Sequence, residues 1–303
     1  MAIPGLHGLG FIDLVKKSVL DFVDDDLITH ASALAFQVLF SLFPFVIFLV
    51  ALLTFLDLSY FFAWLRAELS VFLPQPSMDT LNQVLDELQQ PREGLLSLGA
   101  GIALWTASAA VRSIMHAMNI AYDVREERPL WKRFPVSILY TIGFAALLIA
   151  ASTLLLVGPQ AMQWLANRTG LEQTFVTIWA WLRWPVAFLM LNLTVALIYY
   201  LMPNFKQKFK FVTPGSILST LIWVLSSWGF NLYVTNFADY SVMYGGIGAI
   251  IVLLMYFFIS SAILLFGAEV NAVIEEHAGE ITRPHKRSSP AHVPSADEDQ
   301  PGA

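Results

Sequence analysis

Six long stretches of this chain contain no Asp, Glu, Lys or Arg, and that absence constrains its fold more than any motif does. They lie between Asp26 and Asp57, Glu93 and Arg112, Arg133 and Arg168, Arg183 and Lys206, Lys210 and Asp239, and Asp239 and Glu269. Crossing about 30 Å of hydrocarbon takes roughly 20 apolar residues in a helix, so each stretch has room for one span. Inside lipid every backbone amide must bond within its own segment, which makes helices the default. Barrel strands would show as alternating runs of about ten residues, whereas these runs are continuous. The pattern predicts an all-α polytopic membrane protein with a six-helix transmembrane bundle. The spans are placed near 31–56, 95–117, 136–157, 185–201, 215–233 and 246–273.

Composition agrees. Of 303 residues, 57% are hydrophobic and only 13% charged, against about 25% charged in a typical soluble domain. No cysteine is present, which excludes thiol catalysis, disulfides and Cys-ligated metal sites. A net charge of −6 argues against a general nucleic-acid binder.

The 17 basic residues are unevenly placed. Lys16 and Lys17 precede span one; Arg112, Arg125, Arg128, Lys132 and Arg133 fall at or between spans two and three. Lys206, Lys208 and Lys210 separate spans four and five, and Arg283, Lys286 and Arg287 follow span six. The other side holds only Arg66, Arg92, Arg168 and Arg183. This asymmetry places both termini in the cytoplasm. The first apolar run is too long for a signal-peptide core and follows acidic Asp24, Asp25 and Asp26, so it reads as a retained helix. Six of the nine tryptophans (Trp64, Trp131, Trp164, Trp179, Trp181 and Trp184) fall at span ends or in connections, where amphipathic rings prefer to sit.

Outside the spans, residues 1–30 form a cytoplasmic segment in which Phe11, Ile12, Val15, Val19, Phe22 and Val23 recur at helical spacing. That stripe predicts an amphipathic interfacial helix. Leu58–Leu73, a second helix around Leu81–Leu88, and the stretch from Pro159 to Arg183 read as outer covers. Residues 31–276 make up the transmembrane domain, and 277–303, rich in Pro, Ser and charge, a disordered cytoplasmic tail.

Candidate functional residues concentrate at one depth. Ser108, Arg112, His116 and Asn119 share a face of span two, and Tyr122 extends it. Span six ends in Glu269 and Asn271, and span one contributes His30, Ser32 and Gln37 at the same level. An ionisable group in hydrocarbon needs a partner, and Arg112 and Glu269 are natural candidates for each other. Such a pair reads either as a gate or coupled site below a cavity, or as an interhelical lock. Pro44 inside span one, and Gly245 and Gly246 opening span six, are candidate helix breaks or else architectural and packing features. Nucleotide-binding, metalloprotease and hydrolase motifs are absent, and the six histidines show no metal-binding spacing. No enzyme, cofactor or metal is expected.

At these residues the chain resembles the YihY/BrkB family of bacterial inner-membrane proteins. The resemblance rests on Ala31–Phe36 leading to Ser41–Leu42–Phe43–Pro44, on Ser108 through Asn119 and Tyr122, on Tyr244–Gly245, and on Gly267–Ala268–Glu269–Val270–Asn271–Ala272. It covers roughly Val15 to Glu276; Gln37 stands where members often carry an aromatic pair. The resemblance implies six transmembrane helices in the cytoplasmic membrane, with links to virulence and proposed transport. It also brings an old ribonuclease BN label that no residue here supports. Three readings are open: a transporter or exporter of a small molecule, ion or lipid; a non-transporting scaffold or envelope-assembly factor; and a membrane enzyme. Under the first, Arg112 and Glu269 govern access while Asn119, Asn271 and Gln37 contact the cargo, with Ser108 and His116 beside them. Membrane lipids and an unidentified cargo are the expected partners, homo-oligomers are compatible with the chain, and nucleic acid is not expected.

Overall fold

The computed structural model describes residues 10–55, 82, 86, 95–147, 150, 172–205, 207, 210–236, 240–279 and 281. They form α1 (Phe11–Asp24), α2 (Leu27–Phe55), α3 (Leu95–Ala121), α4 (130–147), α5 (Glu172–Leu201), α6 (Pro214–Asn236) and α7 (Tyr240–His277). No strand occurs among the described residues. Five segments, Leu27–Phe45, Leu98–Ala121, Thr177–Leu201, Pro214–Thr235 and Gly248–His277, are long and apolar enough to cross a membrane. They correspond to predicted spans one, two, four, five and six. Helix α4 covers the first part of the predicted third span, whose remainder lies almost wholly outside the described residues. The predicted helices at 58–73 and around 81–88 lie largely or wholly outside them too, as does the tail beyond residue 281.

Helices α5 and α7 start earlier than expected, and Pro44 stays inside its helix as expected. Helix α5 begins at Glu172, so Pro185 lies inside it and residues up to Arg183 continue the span instead of covering it. Pro44 likewise lies inside α2, and Gly245 and Gly246 inside α7, so none of the candidate helix breaks ends a helix. The reason is common to all three: a proline forfeits one amide bond, but lipid offers no competing partner to the neighbouring amides. With 38 residues, α7 is about 57 Å long at 1.5 Å per residue and outreaches the hydrocarbon. At its far end Gly279 adopts a left-handed φ of +72° and turns the chain. Ile281 then folds back to pack on the core.

Packing centres on α2, which lies most extensively against α3 and next against α7. Small residues at the crossings, Ala31, Ala117, Ala121, Ala268 and Ala272, let the backbones approach, with Leu27, Leu34, Met115, Met118 and Leu265 filling between them. Helix α1 lies on α7 through buried Leu14 and Ser18, against Val270, Val273 and Ile274, and Lys17 Nζ reaches Glu276 Oε2 at 2.9 Å. The predicted stripe is divided: Phe22 packs on the core against Phe266, while Ile12, Val19 and Val23 point outward. An outward apolar face suits a helix lying in a membrane surface.

Helix α6 shows the inversion lipid imposes. Leu221, Val224, Leu225, Trp228 and Leu232 form an exposed stripe at helical spacing, while Ser216, Ser219 and Thr220 are buried. Their hydroxyls bond back to the carbonyls of Thr213, Gly215 and Ser216, which satisfies them without a neighbouring helix. The buried side meets α7 at two glycines. Asn271 Oδ1 accepts from the Gly215 amide at 2.8 Å and its Nδ2 donates to Thr213 Oγ1 at 2.9 Å, capping the start of α6. A methyl group at Gly267 would strike Ser219 Oγ and Tyr199 OH, whereas one at Gly229 would meet nothing within 4 Å. Tyr199 OH is locked there by Ser219 Oγ at 2.6 Å and the Leu264 carbonyl at 2.7 Å.

Gly267→Ala is therefore expected to destabilise by about 1–3 kcal/mol, the usual cost of overpacking. Gly229→Ala should be neutral or slightly stabilising, and thermal unfolding of the detergent-purified protein compares the two. Equal midpoints would show that the α6–α7 crossing is looser than described.

Candidate functional site

A cavity of about 420 Å³ opens between the start of α2, the last turns of α3 and the start of α4. Its polar lining is His30 and Gln37 from α2, Arg112, Ser113 and His116 from α3, and Arg133 from α4. Ala33, Ala109, Leu130 and Phe134 complete it. The helical period explains the set. Arg112 and His116 are one turn apart on α3, while His30, Ala33 and Gln37 recur at three and four along α2. Small Ala33 and Ala109 leave the space that larger side chains would fill.

Arg112 is held from three sides. Its Nη1 donates to Ser108 Oγ at 2.9 Å and to Ser137 Oγ at 3.1 Å, and its guanidinium lies 4.1 Å from the centroid of the Phe134 ring. Both serines are themselves fixed, Ser108 to the Trp105 carbonyl and Ser137 to that of Phe134. Glu269 is fully buried but is not among the partners of Arg112, and it does not line the cavity. The contacts shown at Arg112 are two hydroxyls and an aromatic face, drawn from α3 itself and from across the α3–α4 contact. His30 and His116 meet edge to face with ring centroids 5.4 Å apart. No group of three metal-ligating side chains occurs among the described residues.

Beside the cavity, residues 122–129 fasten α3 to the end of α5. Glu126 is the hub: Oε1 accepts from the Arg128 amide at 3.1 Å and Arg128 Nε at 2.8 Å, and Oε2 accepts from Asn119 Nδ2 at 2.9 Å. Arg128 Nη2 reaches the Met202 carbonyl at 2.8 Å, and Asn119 Oδ1 accepts from the Asn204 amide at 2.7 Å. Arg133 Nε lies 3.9 Å from Glu126 Oε2, too far for a hydrogen bond, and is buried without one. Burial alone would raise the Glu126 carboxyl, but the bonds from Arg128 and Asn119 outweigh it and hold the group below its usual range.

The predicted residues therefore divide. Gln37, Arg112 and His116 meet in one cavity, and Ser108 supports Arg112 from behind. Asn119 and Asn271 are spent on holding loops and a helix start, not on a free site. Ser32 is exposed, bonded to the Ile28 carbonyl. Sequence reasoning missed Arg133, Phe134, Ser137 and Glu126. A signal existed in the adjacent acids Glu126 and Glu127, set between Arg125 and Arg128 next to Pro129.

The chain matches the family described as Virulence factor BrkB over residues 19–291. It is 34% identical to the ribonuclease-like protein YfkH of Bacillus subtilis, covering 82% of this chain and 90% of that one. It is 28% identical to the UPF0761 membrane protein PBPRA3489 of Photobacterium profundum, over 83% of this chain and 77% of the relative. A UPF0761 membrane protein of Chromohalobacter salexigens is 29% identical, over 90% and 67% respectively. No solved structure matches.

Because the folded-state Glu126 carboxyl titrates below its unfolded value, it contributes stability above the unfolded pKa that is lost as pH falls through the folded one. Glu126→Gln should cost about 1.5–3 kcal/mol at neutral pH, the worth of hydrogen bonds to a charged group. The variant should also lose less stability than the parent on acidification below about pH 4. Unfolding midpoints measured from pH 7 to pH 3 test both, and parallel curves would remove Glu126 from its role as hub.

Proposed function

We propose that this chain, which belongs to the Virulence factor BrkB family and is a multi-pass bacterial membrane protein, moves a small molecule, ion or lipid across that membrane. The observation that carries the reading is the cavity at the basic end of the bundle. It is a space of about 420 Å³, lined by Arg112, Arg133, His30, His116 and Gln37 among apolar side chains, between helices whose outer faces are apolar. Pockets of this size take small organic ligands. Six spans with both termini cytoplasmic, as the basic residues indicate, put that cavity on the cytoplasmic side. Arg112, His116 and Gln37 contact the cargo there. Ser108 positions Arg112, and Glu269, Asn119 and Asn271 support the fold around the site.

A scaffold or envelope-assembly role is the second reading, favoured by how many of the polar residues are consumed in structural bonds. The enzyme reading keeps one observation, the His30–His116 pair, since two imidazoles in a cationic pocket are the acid–base groups that phosphodiester cleavage uses. YfkH carries the name ribonuclease-like; in this chain the pocket is read as a binding site.

Flux in proteoliposomes holding the purified protein separates the three. An internal pH dye and pulses of Na⁺, K⁺ and candidate metabolites report transport, and Gln37→Ala and Arg112→Ala should lower it about ten-fold, one lost polar contact each. Silence across the panel, with cellular function surviving both substitutions, would make the protein a scaffold. Cleavage of a nitrophenyl phosphodiester that disappears in His116→Ala would make it an enzyme.

A further inference from the structure

The cavity is cationic in a way the bundle does not need. Arg112, Arg133, His30 and His116 line it, and no carboxylate does among the described residues. Arg112 commits only Nη1 to Ser108 and Ser137, so Nε and Nη2 keep their N–H groups available. Arg133 Nε is buried without a hydrogen bond; its ion pair with Glu126 is long, at 3.9 Å, and that carboxylate is already bonded to Arg128 and Asn119. The acid nearest His30 in sequence, Asp26, accepts from Thr29 Oγ1 at 2.8 Å and does not line the cavity. Two guanidiniums thus share a partly buried space with no carboxylate in its lining, and Glu126, behind Arg133 and shared with Arg128, offsets their charge only in part, so an entering anion is favoured. Guanidinium forks match the oxygens of phosphate bidentately, and Gln37, Ser113 and the imidazoles offer further donors.

The space is larger than one oxyanion requires, and its lip is apolar. Leu130 is 73% exposed at the edge, next to Trp131 at 72%, over whose ring Lys132 Nζ lies 5.0 Å from the centroid. An aromatic–cation rim of this kind suits the level of lipid headgroups.

We infer that this cavity binds a phosphate monoester carried on an organic body, the phosphate held between Arg112 and Arg133. The inference deepens the transport reading by naming the cargo class, and it rests on that reading only for the movement of the cargo once bound. A phosphate monoester reaches such a site either as a lipid headgroup or as a soluble metabolite, and the same donors serve both.

The test is binding to the full-length protein in nanodiscs of phosphatidylcholine, read by thermal shift and by tryptophan fluorescence. The probes are phosphatidic acid in the disc and glycerol 3-phosphate in solution, with diacylglycerol and glycerol as their uncharged controls. A phosphate probe is expected to bind where its control does not, and Arg133→Gln should weaken it about ten-fold or more. The Arg133 side chain gives the fold only its long 3.9 Å pairing with Glu126, so that variant should fold and unfold close to the parent without ligand. Arg112→Lys keeps the charge and should retain part of the affinity, and Arg183→Gln, outside the cavity, should bind as the parent does. Response to phosphatidic acid alone identifies the lipid source, and response to glycerol 3-phosphate the soluble one. Failure of both phosphate probes, or binding unchanged in Arg133→Gln, would overturn the inference. Binding without flux would instead sink the transport reading and leave this one standing.

Discussion

Lipid offers no hydrogen bond, and almost everything in this structure stems from that. Helices run through Pro44, Pro185, Gly245 and Gly246 because ending them would strand amides where nothing could receive them. Hydroxyls in α6 return to their own backbone, and outward faces carry Leu, Val and Trp. With no hydrophobic drive between helices already in lipid, association depends on close approach. Alanines at the α2–α3–α7 crossings and glycines between α6 and α7 supply it.

The same constraint makes the polar end of the bundle orderly. Every long polar side chain there must be either bonded or open to water, and the structure separates the two uses. Asn119, Glu126, Arg128, Asn204 and Asn271 fasten loops to helix ends through bonds of 2.7–3.1 Å. Arg112, Arg133, His30, His116 and Gln37 surround open space. Holding two guanidiniums at one cavity with only the shared Glu126 behind Arg133 costs stability, a cost that a structural lock would avoid by placing a carboxylate in the lining. The lack of one in the lining, among the described residues, is what turns a cluster of charges into a site.

Much of the architecture was legible in the order of residues. Charge-free runs located the five described membrane-crossing segments, and only their ends were misplaced, most of all at α5, where Pro185 looked like a beginning. That residues 11–24 form a helix was also legible, though the side it packs on α7 was not. Leu14 and Ser18 turn inward because α7 lies there, while Ile12, Val19 and Val23 stay on the exposed side. Gln37, Arg112 and His116 were drawn together correctly from depth alone. Depth could not say which neighbour each would meet, so Ser137 and Phe134, which hold Arg112, went unnoticed.

The class of the molecule is written in the chain alone, because hydropathy over about twenty residues is a local property and the bilayer reads it locally. Helix identity, the sidedness of charge and the level of the polar groups are set in the same way. Which polar residues become fasteners and which face a cavity was decided only by tertiary structure. That choice depends on the rotation of α2, α3 and α4 about their axes, and rotation is set by small side chains meeting across crossings far apart in the chain. His30 and His116 come to share one pocket through those crossings, and no spacing along the chain encodes it.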